Sequence, residues 1–461
     1  MSQFRDEEEN PNRFSDLPQE VTCEILGYLD IQDIARASTL SKEFNKLCTL
    51  LPRLCIDSEQ IGDDPNKRED FFEFLNCHTE KVLEEKSLRC VNLRWKLSAT
   101  RENYVFGRFI RKAAASDNVK EMDVDIISNI IFICRCINIR IYIPHCCPSL
   151  EKLKLKGDIE FNPISTNSIL NLQELVLNGV GVVSDLFVKW LPESCKTLKL
   201  LSVRDIVGVK NLTIACPISL RFLAILGAYD SVNVEAESLS GLIIYLPVGT
   251  KTMRIFAPNL NILELEGCIA ENYYLGNFKF LEIARLYYQW HLNTEEELIR
   301  FRPKIDELIQ SVSQTKTLYV SENILQVVKD YWNLKLNAVQ YLYVHTNRAA
   351  RPKKALYLRR FPSLEYLSIR SYFDDDAART GVKLRSQVKL GSRLRERSSQ
   401  CYWESANSEH LEFADQIKIL DIDIDKEDLI KPIFIRVTAL KFLDGGLTSI
   451  VANAFGKSIN D

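Results

Sequence analysis

No apolar stretch in this chain is long and unbroken enough to cross a bilayer. The most hydrophobic window, Ile126 to Ile143, is interrupted by Asn129, Arg135, Asn138 and Arg140, whereas a span needs about 20 predominantly apolar residues. Inside that window Ile137, Ile139, Ile141 and Ile143 alternate with Asn138, Arg140 and Tyr142, which is the period of a half-buried strand. The first residues, Met1-Ser2-Gln3-Phe4 followed by Arg5-Asp6-Glu7-Glu8-Glu9, hold neither the apolar core of a secretory signal nor the basic character of a transit peptide. The expected location is the cytoplasm or the nucleus, with no membrane partner.

Histidine is scarce, at five residues, and none stands in a nucleophile or metal motif. The glycine patterns that cradle phosphates or dinucleotides, the G-x-S-x-G elbow and H-E-x-x-H are all missing. These absences point away from an enzyme and from a bound cofactor. The 13 cysteines include no Cys-x-x-Cys, and neither Cys134-x-Cys136 nor His145-Cys146-Cys147 has the spacing of a zinc half-site. Reduced thiols and no metal are expected. A net charge of -3 lacks the basic excess of a dedicated nucleic-acid binder.

What the chain does have begins between Arg13 and Asp57. Pro18 suits a first helical turn, and Val21, Ile25, Leu26 and Leu29 follow on one helical face. Asp30, with Asp33 three residues on, predicts the cap of a second helix. Phe44, Leu47, Cys48 and Leu51 mark a third, which Pro52 helps to stop. Three helices this short bury too little apolar surface to stand alone, so the stretch needs a neighbour.

This run of Leu17-Pro18, Ile25-Leu26, Leu29 and Leu40-Ser41-Lys42-x-Phe44 ahead of Pro52 resembles an F-box, the module by which substrate receptors dock onto the Skp-family adaptor of cullin–RING ubiquitin ligases. Many relatives carry Trp at the position of Phe44, and Phe keeps an aromatic anchor there. The resemblance implies adaptor contacts at Leu17, Pro18, Ile25, Leu26, Leu29 and Leu40. An ordinary helical cap of a larger domain is the alternative.

Beyond the F-box the chain is organised by repetition. After the break at Asp63-Asp64-Pro65-Asn66, residues Phe71, Leu75, His78 and Val82 predict a helical connector over 58–86. The pattern apolar-x-x-apolar-x-apolar then recurs, with first positions at Leu88, Val119, Leu150, Leu172, Leu198, Leu220, Leu239, Leu260, Leu281, Val339, Leu364, Ile417 and Val437. From Leu150 to Leu281 the spacings are 22, 26, 22, 19, 21 and 21, close to the range of about 20–29 residues of leucine-rich repeats. Each copy predicts one short strand, and stacking is what buries its apolar face. Cys147, Cys195 and Cys216, in the turns just before three of these strands, are expected as small buried side chains. Thr294 to Val312 reads as a helix, and Gln416 to Ile424 as a strand.

Repeats introduced by Cys147-Pro148-Ser149-Leu150 or Ala257-Pro258-Asn259-Leu260 behind an F-box are similar to the plant F-box/leucine-rich-repeat family. The expected fold is α/β: a short N-terminal three-helix F-box at 13–57, then a leucine-rich-repeat solenoid with a curved parallel sheet over 87–461. Residues 1–12 are expected as an acidic disordered tail, and a basic loop insertion is expected near 371–410.

By resemblance, the chain is a non-catalytic substrate-recognition subunit of an SCF-type cullin–RING E3 ubiquitin ligase. It reaches cullin through the Skp-family adaptor, and its protein substrate is unnamed. The alternative is a ligase-independent binding scaffold. Arg348, Arg351, Lys353, Lys354, Arg359 and Arg360 could receive an anionic target, since Arg offers forked donors to phosphate and carboxylate. The sequence leaves open a small-molecule ligand.

Overall fold

The computed structural model describes residues 17–62, 64–85, 87–97, 100–128, 139–142, 149–162, 171–182, 184–247, 249–288, 295–321, 324–325, 336–346, 360–371 and 419–423. The expected tail at 1–12, the metal-tempting cysteines and most of the basic insertion fall outside these. The chain divides into two compact units, Met1–Leu226 and Gly227–Asp461.

The first unit opens with three helices, α1 (Gln19–Leu26), α2 (Ile31–Ser38) and α3 (Lys42–Thr49). Asp30 caps α2 by accepting from the Asp33 N–H at 2.8 Å, and Ser41 caps α3 by accepting from the Phe44 N–H at 3.1 Å. These side chains satisfy donors that a helix start leaves open. α1 stops at Leu26, a turn earlier than its apolar pattern suggests, because Asp30 is extended as the next cap and Gly27 weakens the last turn.

The sheet of the first unit begins sooner than the boundary at 87. Strand Arg53–Asp57 pairs in parallel with Cys90–Leu97, and Leu51, Leu54 and Ile56 are at most 1% exposed. They repeat the same apolar-x-x-apolar-x-apolar pattern inside the stretch read as F-box. The strands Glu121–Ser128, Lys152–Gly157, Glu174–Asn178, Leu200–Arg204 and Phe222–Leu226 continue the parallel order. The segment at 58–86 therefore contains the crossover between two paired strands: α4 (Pro65–Glu84), capped by Asp64, with Phe71, Leu75, His78 and Val82 buried.

In the second unit Gly241–Leu246, Ile262–Gly267, Ile283–Tyr288, Thr317–Ser321, Tyr341–Thr346, Tyr366–Ser371 and Ile419–Asp423 pair in parallel in that order. In the copies from Leu88 to Leu286 the three apolar positions are at most 4% exposed. Thr315-x-x-Leu318-x-Val320 also forms a full strand of the series: Thr315 stands at the first apolar position and its hydroxyl donates to the Glu282 carbonyl at 2.8 Å.

The return limbs of the repeats are filled by helices, by strands or by both. Helices are α5 (Thr100–Ala114), α6 (Ser184–Ser194) and α7 (Glu295–Ser311). Repeats near the shortest spacing have no room for one and return through a second parallel layer, Ser231–Glu235, Thr252–Phe256 and Asn272–Leu275. The first unit has a similar layer in Ile139–Tyr142, Ile159–Asn162 and Gly181–Val182. The expected strand in the Ile126–Ile143 window is thus a return strand. An α/β fold of three helices followed by a repeat solenoid is the architecture.

Candidate functional site: an apolar face on the N-terminal helices

Helix α1 is apolar on two sides, and only one side can pack inward. Thr22, Cys23 and Leu26 face the interior, with Leu26 3% exposed. The Thr22 hydroxyl donates to the Pro18 carbonyl at 3.2 Å. Ile31, Ile34 and Ala37 of α2 and Cys48 of α3 complete this small core. Burial pushes the Cys48 thiol up to about 11, so it is an inert packing group.

The opposite side of α1 remains uncovered. Leu17, Val21, Ile25 and Tyr28 recur at helical spacing and are 36%, 44%, 41% and 70% exposed, and Leu40 before α3 is 71% exposed. Pro18 is exposed beside Leu17, Leu29 is half-buried, and so is Phe44. Five of the six residues read as adaptor contacts thus remain at least partly open. Leu26 does not, because it is part of the interior.

Val21 and Tyr28 share the exposed side although neither was singled out as a contact. Their spacing from Ile25 is the signal that marks them. The ring of Tyr28 lies under the Arg53 guanidinium, 5.3 Å from centroid to carbon.

A stripe of this kind is suited to burial against a partner rather than to chemistry. Among the described residues no group of His, Cys, Asp and Glu could hold a metal ion. No described helix is long and apolar enough to cross a membrane. Of the basic cluster, Arg360 alone is described: it is half-buried, and its carbonyl accepts from the Leu336 N–H at 2.8 Å. Arg348, Arg351, Lys353, Lys354 and Arg359 lie outside the described residues. Cys195 is buried and Cys216 half-buried ahead of their strands, and desolvation raises both thiols, Cys216 to about 12.

The F-box domain family matches residues 14–55, which contain the exposed stripe and all three helices. The chain carries an F-box domain. It is similar to an F-box/FBD/LRR-repeat protein of Arabidopsis thaliana, 26% identical over 58% of this chain and 57% of the relative. An FBD-associated F-box protein of the same plant is 25% identical over 68% of this chain and 66% of its own length. An F-box/LRR-repeat protein, also from Arabidopsis thaliana, is 28% identical over 57% of this chain and 79% of the relative. The chain thus covers less than two thirds of the first two relatives. These similarities are consistent with a plant F-box/leucine-rich-repeat family, as is the long series of parallel strands that follows the three helices.

Proposed function

We propose that this F-box protein is the substrate-recognition subunit of an SCF-type cullin–RING E3 ubiquitin ligase in the cytoplasm or nucleus. The exposed face of α1 docks the Skp-family adaptor, and the repeats hold a target protein. The observation that carries the reading is the side-by-side contrast on one helix: Thr22, Cys23 and Leu26 pack inside while Val21 and Ile25 face solvent. Burying a large apolar side chain is worth roughly 1.5–3 kcal/mol, so a partner covering this stripe gains a substantial binding free energy.

The chain itself performs no bond chemistry in this reading. It contributes by proximity, since holding a target beside a conjugating enzyme converts an encounter between free molecules into a local one. A second reading, a scaffold without a ligase, draws on strand Arg53–Asp57: its place in the sheet makes the helices a cap as well.

Co-purification with a Skp-family adaptor separates the two. The wild-type chain should retain the adaptor in stoichiometric amount, and a Leu17→Ala, Pro18→Ala double variant with an unchanged circular dichroism spectrum should lose it. Absence of capture by the wild type would leave the scaffold reading.

A further inference from the structure

The open face of the second unit's inner sheet carries an ordered row of side chains. Glu264, Arg285, Tyr319 and Tyr343 are partners in register on four successive strands. Glu264 Oε2 holds Arg285 Nη1 at 3.0 Å, the guanidinium lies 5.0 Å from the Tyr319 ring centroid, and the Tyr319 and Tyr343 rings stack at 4.1 Å and 8°. The next position in the row is Ser368, which is 1% exposed. Its small side chain leaves room for Tyr366, two residues earlier, to tilt toward Tyr343 at 5.1 Å and toward Tyr341 at 6.2 Å.

The matching face of the first unit is built differently. There Lys152 pairs with Glu121 at 2.6 Å, Lys156 with Asp125 at 2.7 Å and Lys154 with Glu174 at 3.2 Å. Such half-exposed pairs are hydrated and cost free energy to strip of water. Tyrosines have few rotatable bonds, and rings already held against one another lose little freedom when a partner arrives. The tyrosine stripe is therefore the readier surface to bury.

Its chemistry favours a cation. Aromatic faces attract guanidinium and ammonium groups, and Arg285 on Tyr319 is an example within the molecule. Among the described side chains of these five strands and the residue just before each, the carboxylates Glu264, Glu266, Glu282 and Glu365 outnumber the cations Arg285 and Lys316. Arg285 is already committed to Glu264 and Tyr319. Tyr341, 39% exposed, leaves its ring the most open. Neighbouring strands lie about 4.8 Å apart, so the three that carry Tyr319, Tyr343 and Tyr366 span about 10 Å, the reach of roughly three extended residues.

We propose that the stripe formed by Tyr319, Tyr343, Tyr366 and Tyr341 docks an extended segment of a partner protein that bears arginine or lysine side chains. This rests on the reading that the repeats hold a target, and it names the class of that target's recognition segment.

The test uses the full chain and labelled peptides of equal length, alternating arginine with serine, glutamate with serine, or rich in proline, read by fluorescence anisotropy. The arginine peptide should bind most tightly. Tyr341→Leu, at an exposed site, and Tyr343→Leu should each weaken it roughly 2- to 30-fold, the range of one cation–π contact, whereas Tyr341→Phe and Tyr343→Phe should retain binding because the ring faces remain. Equal affinity of wild type and both Leu variants for the arginine peptide overturns the proposal, as does preference for the glutamate or proline peptide. Adaptor capture is measured on the same preparations. A chain that captures the adaptor but fails with arginine refutes the stripe alone, and one that binds the peptide without the adaptor refutes the ligase reading instead.

Discussion

Arg68 of α4 and Glu102 of α5 face each other with Nη2 and Oε1 3.3 Å apart, and each residue is 7% exposed. Arg68 Nη2 also donates to the Lys96 carbonyl at 2.7 Å, and Trp95 Nε1 donates to Glu102 Oε2 at 3.2 Å. The guanidinium lies 5.0 Å from the Trp95 ring centroid. This group ties both crossover helices to strand Cys90–Leu97. Removing one partner leaves the other charge buried, so Glu102→Ala should cost about 3–5 kcal/mol. Replacing both partners with Leu should cost less than that single change. Urea unfolding midpoints of the two variants check the order.

Glycine at a strand end sets up another sharp contrast. Gly267 closes Ile262–Gly267 at φ 108°, and a Cβ there would run into the Leu246 carbonyl of the preceding repeat. That carbonyl also accepts from the Cys268 N–H at 2.7 Å, so the chain must pass close by to turn out of the sheet. Gly208 has a positive φ of 86° but open space where its Cβ would lie. Gly208→Ala should cost about 1 kcal/mol from backbone strain. Gly267→Ala should cost more, with a melting temperature several degrees below that of Gly208→Ala.

The inner strands were legible because their pattern is dense: two strand positions plus the residue two places ahead of the strand must all be apolar, and Leu150-x-x-Leu153-x-Leu155 leaves little else to read. The return strands were mostly not, since Asn211–Ala215 and Ser231–Glu235 offer only two inward side chains each. Leu51-x-x-Leu54-x-Ile56 was hidden by its neighbours, as the helical pattern ending at Leu51 overlaps the first position of the strand pattern. In α1 the period shows amphipathicity but not which apolar stripe turns inward. Val21 and Ile25 look as suitable for a core as Cys23 and Leu26, and only packing against α3 decides.

His78 gives a pH dependence of known sign. Its ring stacks on Phe74 at 5.1 Å, and burial, followed by the nearby Lys81, pushes its pKa down from 6.5 to about 4. The unfolded chain therefore binds a proton at a pH where the folded chain does not. The stabilisation is fully present above about pH 6.5 and is lost as pH falls toward about 4, and by linkage it amounts to about 3 kcal/mol. Denaturant midpoints of wild type and His78→Gln should converge as pH drops through that window. Parallel curves would show that the buried imidazole does not titrate there.

Leu40 and Leu26 separate binding from folding on the same small module. Leu40 is 71% exposed and Leu26 is 3% exposed, so their truncations should act on different quantities. Leu26→Ala opens a cavity and should cost about 2–5 kcal/mol, visible as a lower melting temperature whether or not an adaptor is present. Leu40→Ala removes surface already in water and should shift stability by less than about 0.5 kcal/mol. If the exposed stripe is the adaptor face, Leu40→Ala nonetheless weakens adaptor binding by about tenfold or more, since about 1.4 kcal/mol is one decade of affinity. Calorimetric titration with the adaptor measures the second effect, and thermal melts of the free chain measure the first. A Leu40→Ala chain that melts and binds like wild type would place the adaptor contact elsewhere on the three helices.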